Sequence, residues 1–326
     1  SSNRCARNAA QSSETTIPTL GITWGSTIMF DYNDAFSRNI GWVTEEEQLK
    51  LKNSKVAIGG LGGVGGDHAI VCARMGIGNF NISDLDAYDY ANFNRQAGAF
   101  VSTIGKEKSE VMENTLKDIN PEATIRNFKS GITLENLDEF LDGVDVYIDS
   151  LDIFALEIRR QVFRRCYELG IPTITAAPMG MGTAMLCFKP GEMSFDDYFA
   201  MVDAPSNASE QEKEEYFENN IVRFVIGVSP SVQQRHYLVK NSSVNFMKKK
   251  VPSTCMGISL AAGVLCTNVL KLLLGRGEVV CAPRGLHFDA YRNNLIKTWR
   301  PWGNKNPLQK YMFKKVKQIL EDSKED

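Results

Sequence analysis

The sequence predicts an α/β fold, with a doubly wound, Rossmann-like and mostly parallel sheet that continues into an antiparallel C-terminal extension. Apolar runs of strand length alternate with segments of helical periodicity between residues 55 and 177. This alternation is typical of parallel strands joined by crossover helices. The stretch GGLGGVGG at 59–66 directly follows the first apolar run, where a doubly wound sheet carries its first crossover turn.

The composition excludes several classes of protein. The chain of 326 residues is 43% hydrophobic and 23% charged, with a net charge of -2. These values are typical of a soluble globular protein without the positive excess that attracts nucleic acid or anionic membranes. We therefore expect neither a DNA partner nor a membrane association. The seven cysteines form no C-x-x-C pair, which favours a reduced, cytoplasmic protein.

Changes in composition and hydrophobic pattern divide the chain into four parts. Residues 1–43 form an N-terminal arm, and residues 44–189 form the Rossmann-like core. Residues 190–253 form an irregular excursion, and residues 254–326 supply a helix and strands that complete the fold. Because a structureless connection as long as the excursion is uncommon in a compact domain, we expect it to contain helices, a lid or a partner surface. A simple solvated excursion is the alternative.

The elements of the core follow in order along the chain. Thr44 and Glu47 fit a capping box that opens a helix ending at Leu51. The predicted strands of the core then occupy 55–58, 79–84, 124–128, 144–149, 173–177 and 182–189. The helices between them occupy 67–75, 106–119, 134–141 and 154–169.

The C-terminal part is predicted from shorter signals. The apolar stretch 257–274 contains Asn268 and Lys271, which favours a core helix over a membrane span. Short strands are predicted near Val279 and at 286–288, followed by a turn that carries tryptophans at 299–302. A cationic amphipathic helix begins near Pro307.

The glycine loop predicts a phosphate-binding turn. Four glycines form the pattern Gly60-x-Gly62-Gly63-x-Gly65 between a strand and a helix. Bare backbone there lets a polyphosphate approach main-chain N–H groups at the positive end of the helix. Asp84 ends the second strand, where an acid commonly binds a ribose. The pattern leaves an adenine dinucleotide and ATP open, and tight helix packing is the alternative without a ligand.

The residues after Asp84 favour ATP. Asn92, Arg95, Gln96 and Lys108 follow in quick succession. Arginine gives planar contacts to phosphate and lysine gives a movable point charge, which suits a triphosphate that must be bent and split. A nicotinamide enzyme, which holds a diphosphate largely with glycine backbone, has little need of these extra groups.

Taken together in this order, the motifs resemble the ThiF/MoeB family, the adenylating fold shared by bacterial sulfur-carrier activators and ubiquitin-activating enzymes. The matching elements cover roughly residues 36–180: the glycine pattern, Asp84-x-Asp86, Asn92-x-x-Arg95-Gln96, Gly105-Lys106-x-Lys108 and Asp152. The resemblance implies that Asp84 holds the ATP ribose and that Asn92, Arg95 and Lys108 bind phosphates. Asp86 and Gln96 belong to the same nucleotide-binding motifs.

The resemblance also implies a metal and a second subunit. Asp152 would hold Mg²⁺ near the triphosphate, with Asp149 as a nearby rival that better suits a structural role. Arg38 matches an arginine that reaches the neighbouring protomer's ATP in the family, so the arm 1–43 would contribute to a homodimer. An ordinary surface arginine is the alternative for Arg38.

The family reaction joins a carboxylate to the α-phosphate of ATP and releases pyrophosphate. The resemblance therefore implies a partner whose C-terminus is activated, either a small carrier protein or a peptide. Because the paired C-x-x-C motifs of many relatives are missing, we expect no zinc site. Cys187 and Cys255 are the candidate acyl acceptors.

Three other functions remain open at this point. One branch of the family adenylates and dehydrates a modified nucleoside in transfer RNA. A nicotinamide-dependent oxidoreductase is the alternative from another class, and a nucleotide-binding protein without catalysis is the third. Basic residues at 248–250 and in the C-terminal helix are the only sequence features that favour the RNA substrate.

Overall fold

The computed structural model describes residues 29–240 and 251–322. The chain divides into two units at Asp31, and the described helices and strands all lie in the unit that begins at Tyr32. Most of the predicted arm and the basic block at 248–250 lie outside the described residues.

The first elements of this unit are short helices that lead into the sheet. Helix α1 spans Tyr32–Ala35 and α2 spans Glu45–Asn53. The capping box predicted at Thr44 is confirmed: its hydroxyl accepts a hydrogen bond from the Glu47 amide at 3.1 Å, and Glu47 accepts one from the Thr44 amide at 3.0 Å. The reciprocal bonds satisfy two amides that the helix itself cannot pair.

One sheet of eight strands, in the order β3-β2-β1-β4-β5-β6-β7-β8, forms the centre of the fold. Its parallel half is built by β1 Lys55–Gly59, β2 Asn79–Ser83, β3 Thr124–Asn127, β4 Val146–Asp149 and β5 Thr173–Met179. The predicted doubly wound fold is therefore confirmed. Because β1 is flanked by β2 and β4, the chain reverses its direction of winding there, which opens a crevice at the carboxyl ends of these strands.

The crossover helices cover both faces of the parallel half. They are α3 Gly65–Arg74, α4 Lys108–Ile119, α5 Leu137–Leu141 and α6 Leu156–Leu169. Side chains of α3 and α4 pack on one face of the sheet, and those of α5 and α6 pack on the other. Strands β1 and β4 are buried along almost their whole length, as expected for parallel strands covered on both sides.

The antiparallel extension consists of β6 Gly182–Phe188, β7 Arg284–Asp289 and β8 Asn294–Trp299. The strand predicted near Val279 is wrong, and β8 lies largely before the predicted turn at 299–302, where the sequence predicted no strand. The reason for the second difference is that β8 is an edge strand. Its alternate residues Leu295, Lys297 and Trp299 are exposed, so this face of the strand does not require apolar residues and gives only a weak strand pattern in the sequence.

In its described residues, the segment 190–253 contains two α-helices and a 3₁₀ helix at Gln233–His236, and helices were one of the alternatives predicted. Helix α7 spans Phe195–Phe199 and α8 spans Glu210–Val228. The acidic block forms the first turns of α8, where Ser209 and Glu212 make a second capping box. Negative charge is favourable at this end of a helix because it opposes the helix dipole.

Two further helices complete the described fold. Helix α9, Cys255–Leu274, packs on β5 and β6 and buries Ala261, Leu265 and Val269 in the core. It is long and apolar enough to cross a membrane by length and composition, but half of its apolar window is buried within the protein. The prediction of a core helix is confirmed. Helix α10, Pro307–Asp322, packs on α8.

Candidate active site

The glycine loop between β1 and α3 depends on glycine at two positions for its shape. Gly60 has a φ of +86°, and a Cβ atom there would lie 2.3 Å from the Ser150 carbonyl oxygen. A Cβ atom at Gly65 would lie 1.8 Å from the Gly60 carbonyl oxygen. The loop backbone therefore packs directly against Ser150 at Gly60 and against itself at Gly65, so a larger residue at either position would force these segments apart.

The other two glycines of the pattern present bare backbone. A Cβ atom at Gly63 would meet nothing within 4 Å. At Gly62 it would lie 3.5 Å from Lys108 Nζ and 3.7 Å from Gln96 Nε2. The open part of the loop therefore lies beside a lysine and an amide, at the N-terminus of α3, where backbone N–H groups attract phosphate.

Lys108 is the most enclosed cation of this site. It begins α4, is 5% exposed, and its Nζ lies 3.1 Å from a carboxylate oxygen of Asp86. The Lys108 amide also donates to the Asp86 carbonyl at 2.9 Å. Because the Asp86 side chain is 73% exposed, its charge is well solvated, and a phosphate beside Gly62 would be a second anionic partner for the lysine.

Asp84 ties the acidic loop to the glycine loop. Its carboxylate accepts hydrogen bonds from the Leu61 amide at 2.6 Å and from the Asp86 amide at 2.8 Å. These bonds fix the turn after β2 beside the glycines. The binding of a ribose by Asp84 stays a prediction.

The three residues predicted from the motif after Asp86 have different surroundings. Gln96 is 8% exposed, and its Oε1 has no hydrogen-bond partner among the described residues. Asn92 caps a short 3₁₀ helix by accepting from the Asp89 amide at 3.0 Å. The Arg95 guanidinium donates to the Ala91 carbonyl at 2.8 Å, so its observed contacts lie within its own loop. Of the three, Gln96 is the one that the structure places at Gly62.

The two aspartates after β4 differ in burial. Asp149 is 1% exposed and pairs with the Arg159 Nε at 2.9 and 3.1 Å. Asp152 is exposed, and one of its carboxylate oxygens accepts from the Phe154 amide at 2.9 Å. The buried pair agrees with a structural role for Asp149, and it leaves the Asp152 carboxylate available to a cation.

Two neighbours on α3 were not predicted as site residues. His68 is fully buried and its Nδ1 lies 2.9 Å from the Ser150 hydroxyl, next to the segment that leads to Asp152. Burial lowers the pKa of His68 to about 3, so the ring is neutral. Burial also raises the pKa of Asp67 to about 6, and its Oδ2 has no hydrogen-bond partner in the described ranges. Their place in the first helical turn after the glycines was the available sequence signal.

Arg38 lies far from the glycine loop of its own chain. It is exposed in a 3₁₀ helix at Ser37–Asn39, and the neighbouring Asn39 side chain donates to the Met75 carbonyl at 3.3 Å. Met75 follows the last residue of α3, whereas the glycine loop precedes the first. Because a helix of 10 residues is about 15 Å long, Arg38 and the loop lie near opposite ends of α3.

The two candidate acyl acceptors differ in accessibility. Cys187 is fully buried in β6, and a hydrogen bond with Cys281 together with burial raises its pKa well above the usual value. Such a thiol is a poor nucleophile. Cys255 is exposed in the first turn of α9, so it is the better placed of the two.

Comparisons with known proteins give a family match and several curated relatives. A family model described as the ThiF family matches residues 36–311. The chain is 38% identical over 160 residues to tRNA threonylcarbamoyladenosine dehydratase of Bacillus subtilis, across 49% of this chain and 62% of that protein. It is 32% identical over 143 residues to the sulfur carrier protein ThiS adenylyltransferase of Escherichia coli, across 44% and 56%.

Solved structures show the same fold. Escherichia coli MccB superposes with a TM-score of 0.59 at 20% identity, across 82% of this chain and 69% of that one. PaaA superposes with a TM-score of 0.59 at 17% identity, across 85% and 76%. The matches to the curated relatives are shorter: the aligned part of this chain spans 56% to 62% of the length of the two relatives named above.

Proposed function

Because the chain belongs to the ThiF family, we propose that it is an ATP-dependent adenylyltransferase that activates a carboxylate as an acyl-adenylate. The observation that carries this proposal is the position of Lys108 Nζ beside the bare backbone of Gly62, at the N-terminus of α3. A buried cation, the Nε2 donor of Gln96 and open main chain at one point suit a polyphosphate.

The reaction needs two anions to meet. A carboxylate oxygen of the substrate attacks the α-phosphorus of ATP, the bond from that phosphorus to the bridging oxygen breaks, and pyrophosphate leaves. The Gly62 and Gly63 backbone and Lys108 would hold the triphosphate and stabilise the charge that develops on pyrophosphate. Arg95 would join them by exchanging its contact with the Ala91 carbonyl for a phosphate, which its intermediate exposure permits.

Magnesium fits the residues that surround this crevice. Mg²⁺ is usually held by one or two carboxylates together with phosphate oxygens and water. Asp152 offers an exposed carboxylate of which one oxygen is already oriented by the Phe154 amide. A bound ion would neutralise charge on the triphosphate.

A homodimer would complete the site. The place of Arg38 near the far end of α3 favours action on a neighbouring subunit over action on its own glycine loop. In a twofold dimer each subunit would then supply one arginine to the other. The described cysteines are free, which agrees with a cytoplasmic setting.

The proposed substrate is the C-terminal carboxylate of a small carrier protein or a peptide. One relative is named as an adenylyltransferase of the sulfur carrier protein ThiS, and MccB has been solved together with MccA. A terminal carboxylate is also the group that an acyl-adenylate requires.

A second candidate has equal support from the curated relatives. The 38% identity to tRNA threonylcarbamoyladenosine dehydratase favours activation of a carboxylate on a modified adenosine in transfer RNA, followed by loss of water. Both candidates begin with the same attack of a carboxylate on ATP, so they differ only in the molecule that carries it.

The shared step is tested by ATP and pyrophosphate exchange. The purified protein with ATP and Mg²⁺ would be offered a set of peptides with small C-terminal residues, a carrier protein ending in Gly-Gly, and transfer RNA bearing threonylcarbamoyladenosine. We expect exchange with one of these classes, and mass spectrometry would show either an AMP-bearing peptide or a dehydrated nucleoside. Binding of NADH, detected by its fluorescence, without binding of ATP would instead support an oxidoreductase.

A further inference from the structure

A cavity of about 470 Å³ lies outside the crevice described above. It is open to solvent on one side and is bordered by α7, α8, the 3₁₀ helix at Gly303–Lys305 and α10. Its volume is within the range of small-molecule sites, which are usually about 300 to 1,000 Å³. Met201, Val202, Ile226 and Phe313 give it an apolar wall.

The cavity and the glycine loop lie at opposite ends of the parallel strands. The loop follows the carboxyl end of β1, whereas Phe188, the last residue of β6, pairs with Thr173 at the start of the parallel strand β5. Helix α7 begins a few residues after Phe188. A ligand in this cavity would therefore occupy a place separate from ATP.

Three cations of the cavity have no carboxylate partner among the described residues. Arg223, Lys310 and Lys314 line it. The Arg223 guanidinium lies 4.9 Å from the centre of the Phe313 ring and donates to the Asn220 side-chain oxygen at 3.1 Å, and both of these groups are neutral. Burial lowers the pKa of Arg223, which means that the charge has lost part of its hydration without gaining an anion in return.

The two acids of the cavity already have cationic partners in the fold. Asp196 accepts from Arg160 at 3.1 Å and from Arg164 at 2.7 Å. Asp197 lies 3.2 Å from the Lys305 Nζ. Because these carboxylates are engaged, the charge left to a ligand is positive.

A buried amide beside the cavity has an unsatisfied acceptor. Gln309 lines the cavity and is 6% exposed, and its Oε1 has no hydrogen-bond partner in the described part of the chain. Leaving a buried polar atom unpaired costs about 1 to 3 kcal/mol. Because this oxygen accepts hydrogen bonds, it calls for a donor beside it and does not itself select an anion.

We propose that this cavity binds a small organic anion, with a carboxylate against Arg223, Lys310 and Lys314 and an apolar body against Met201, Ile226 and Phe313. Cations at one end and apolar side chains along the wall select such amphipathic acids over neutral or cationic molecules of the same length. The inference does not depend on the activity proposed for the glycine loop, because the two sites share no residue.

The test uses decanoate as the probe and 8-anilinonaphthalene-1-sulfonate as the fluorescent reporter. We expect the reporter to bind the full chain saturably and to be displaced by decanoate, with much weaker displacement by decylammonium. Arg223→Gln should weaken displacement by decanoate at least about tenfold, the effect of losing one charge-assisted hydrogen bond. Lys213→Gln, on the same helix as Arg223 but outside the lining, is the matched control and should change nothing.

Val202→Trp provides an independent variant that fills the mouth of the cavity without removing a charge. Val202 is 40% exposed, so the larger ring does not have to enter the core. The variant should also abolish displaceable binding, and circular dichroism should show the native fold. Equal displacement by decylammonium, or unchanged decanoate affinity in folded Val202→Trp protein, would overturn the proposal.

Discussion

Lys108 shows how much of the proposed chemistry depends on one side chain. We predict that Lys108→Met lowers the rate of ATP and pyrophosphate exchange by about 100-fold to 1,000-fold, the usual effect of removing one group that stabilises developing charge. The fold should persist because methionine has a similar length and Asp86 stays solvated. Exchange kinetics with a thermal melt would check both points. Lys106→Met, at the neighbouring exposed lysine, is the control and should keep most of the activity.

Asp149 and Asp152 form a matched pair that separates stability from activity. Asp149→Asn breaks a buried ion pair and should lower the free energy of unfolding by about 3 to 5 kcal/mol. Asp152→Asn alters an exposed carboxylate and should change it by less than about 0.5 kcal/mol, while exchange activity is lost. Urea denaturation of the two variants measures the contrast. Full activity in Asp152→Asn would remove this residue from the proposed site.

The raised pKa of Asp67 should make the free energy of unfolding depend on pH. Because burial raises its folded pKa to about 6 from 3.8, the native protein binds this proton more tightly than the unfolded chain does. Its carboxyl therefore favours the fold below about pH 4 and this contribution is lost as the pH rises through 6. The full shift corresponds to about 3 kcal/mol, and partial solvent screening reduces the expected effect to about 1 to 2 kcal/mol.

Asp67→Asn tests this sign directly. The variant should be more stable than the wild type at pH 7.5, and the two should converge near pH 4. His68 titrates in the opposite sense because its folded pKa is lowered, but it is present in both proteins and cancels in the difference. Urea denaturation at several pH values gives the comparison. A variant that is less stable at pH 7.5 would show that the Asp67 carboxylate has a native partner.

Among the secondary-structure elements, the capping box at the N-terminus of α8 allows the contribution of one cap to stability to be measured. The Ser209 hydroxyl accepts from the Glu212 amide at 3.3 Å, and Glu212 accepts from the Ser209 amide at 2.7 Å. Ser209→Ala should therefore lower the free energy of unfolding by about 1 kcal/mol. Ser206→Ala, in the exposed turn just before, should leave it unchanged. Equal effects of the two substitutions in urea denaturation would contradict the role of the cap.

Elements were predictable where their signals are local. The capping box at Thr44 and the strands β1 and β2 could be predicted because neighbouring residues determine them. β8 could not, because its exposed face accepts Lys297 and its pairing with β7 is what makes it a strand. Val279 has strand propensity but lies outside β7, which begins at Arg284, and propensity alone does not form a ladder.

For the whole molecule, the proposed exchange of Arg38 between subunits gives a complementation test. Arg38→Ala and Lys108→Met should each be inactive as purified proteins. Mixed in equal amounts and allowed to exchange subunits, they should recover about one quarter of the wild-type activity, since half of the dimers would be hybrids with one intact site. Steady-state exchange rates after mixing provide the measurement. No recovery, despite a dimer in light scattering, would place Arg38 outside the partner's site.

The sequence by itself determined the class of fold, the glycine loop and the family. Strand and helix periods, bare glycines and the ordered polar residues after Asp84 are carried by short stretches of chain. Each of these signals can be recognised without knowing how the chain folds, because it depends only on residues that are close together in sequence.

Only the tertiary structure decided which polar groups meet. It placed Lys108 and Gln96 at Gly62, buried Asp149 against Arg159, and brought Arg223, Lys310 and Lys314 together in a second cavity. These contacts join residues that are distant in sequence, and their charge and hydration depend on the elements packed around them. Burial and partners cannot be inferred from residue type, because the same carboxylate is a structural ion at Asp149 and a solvated one at Asp152.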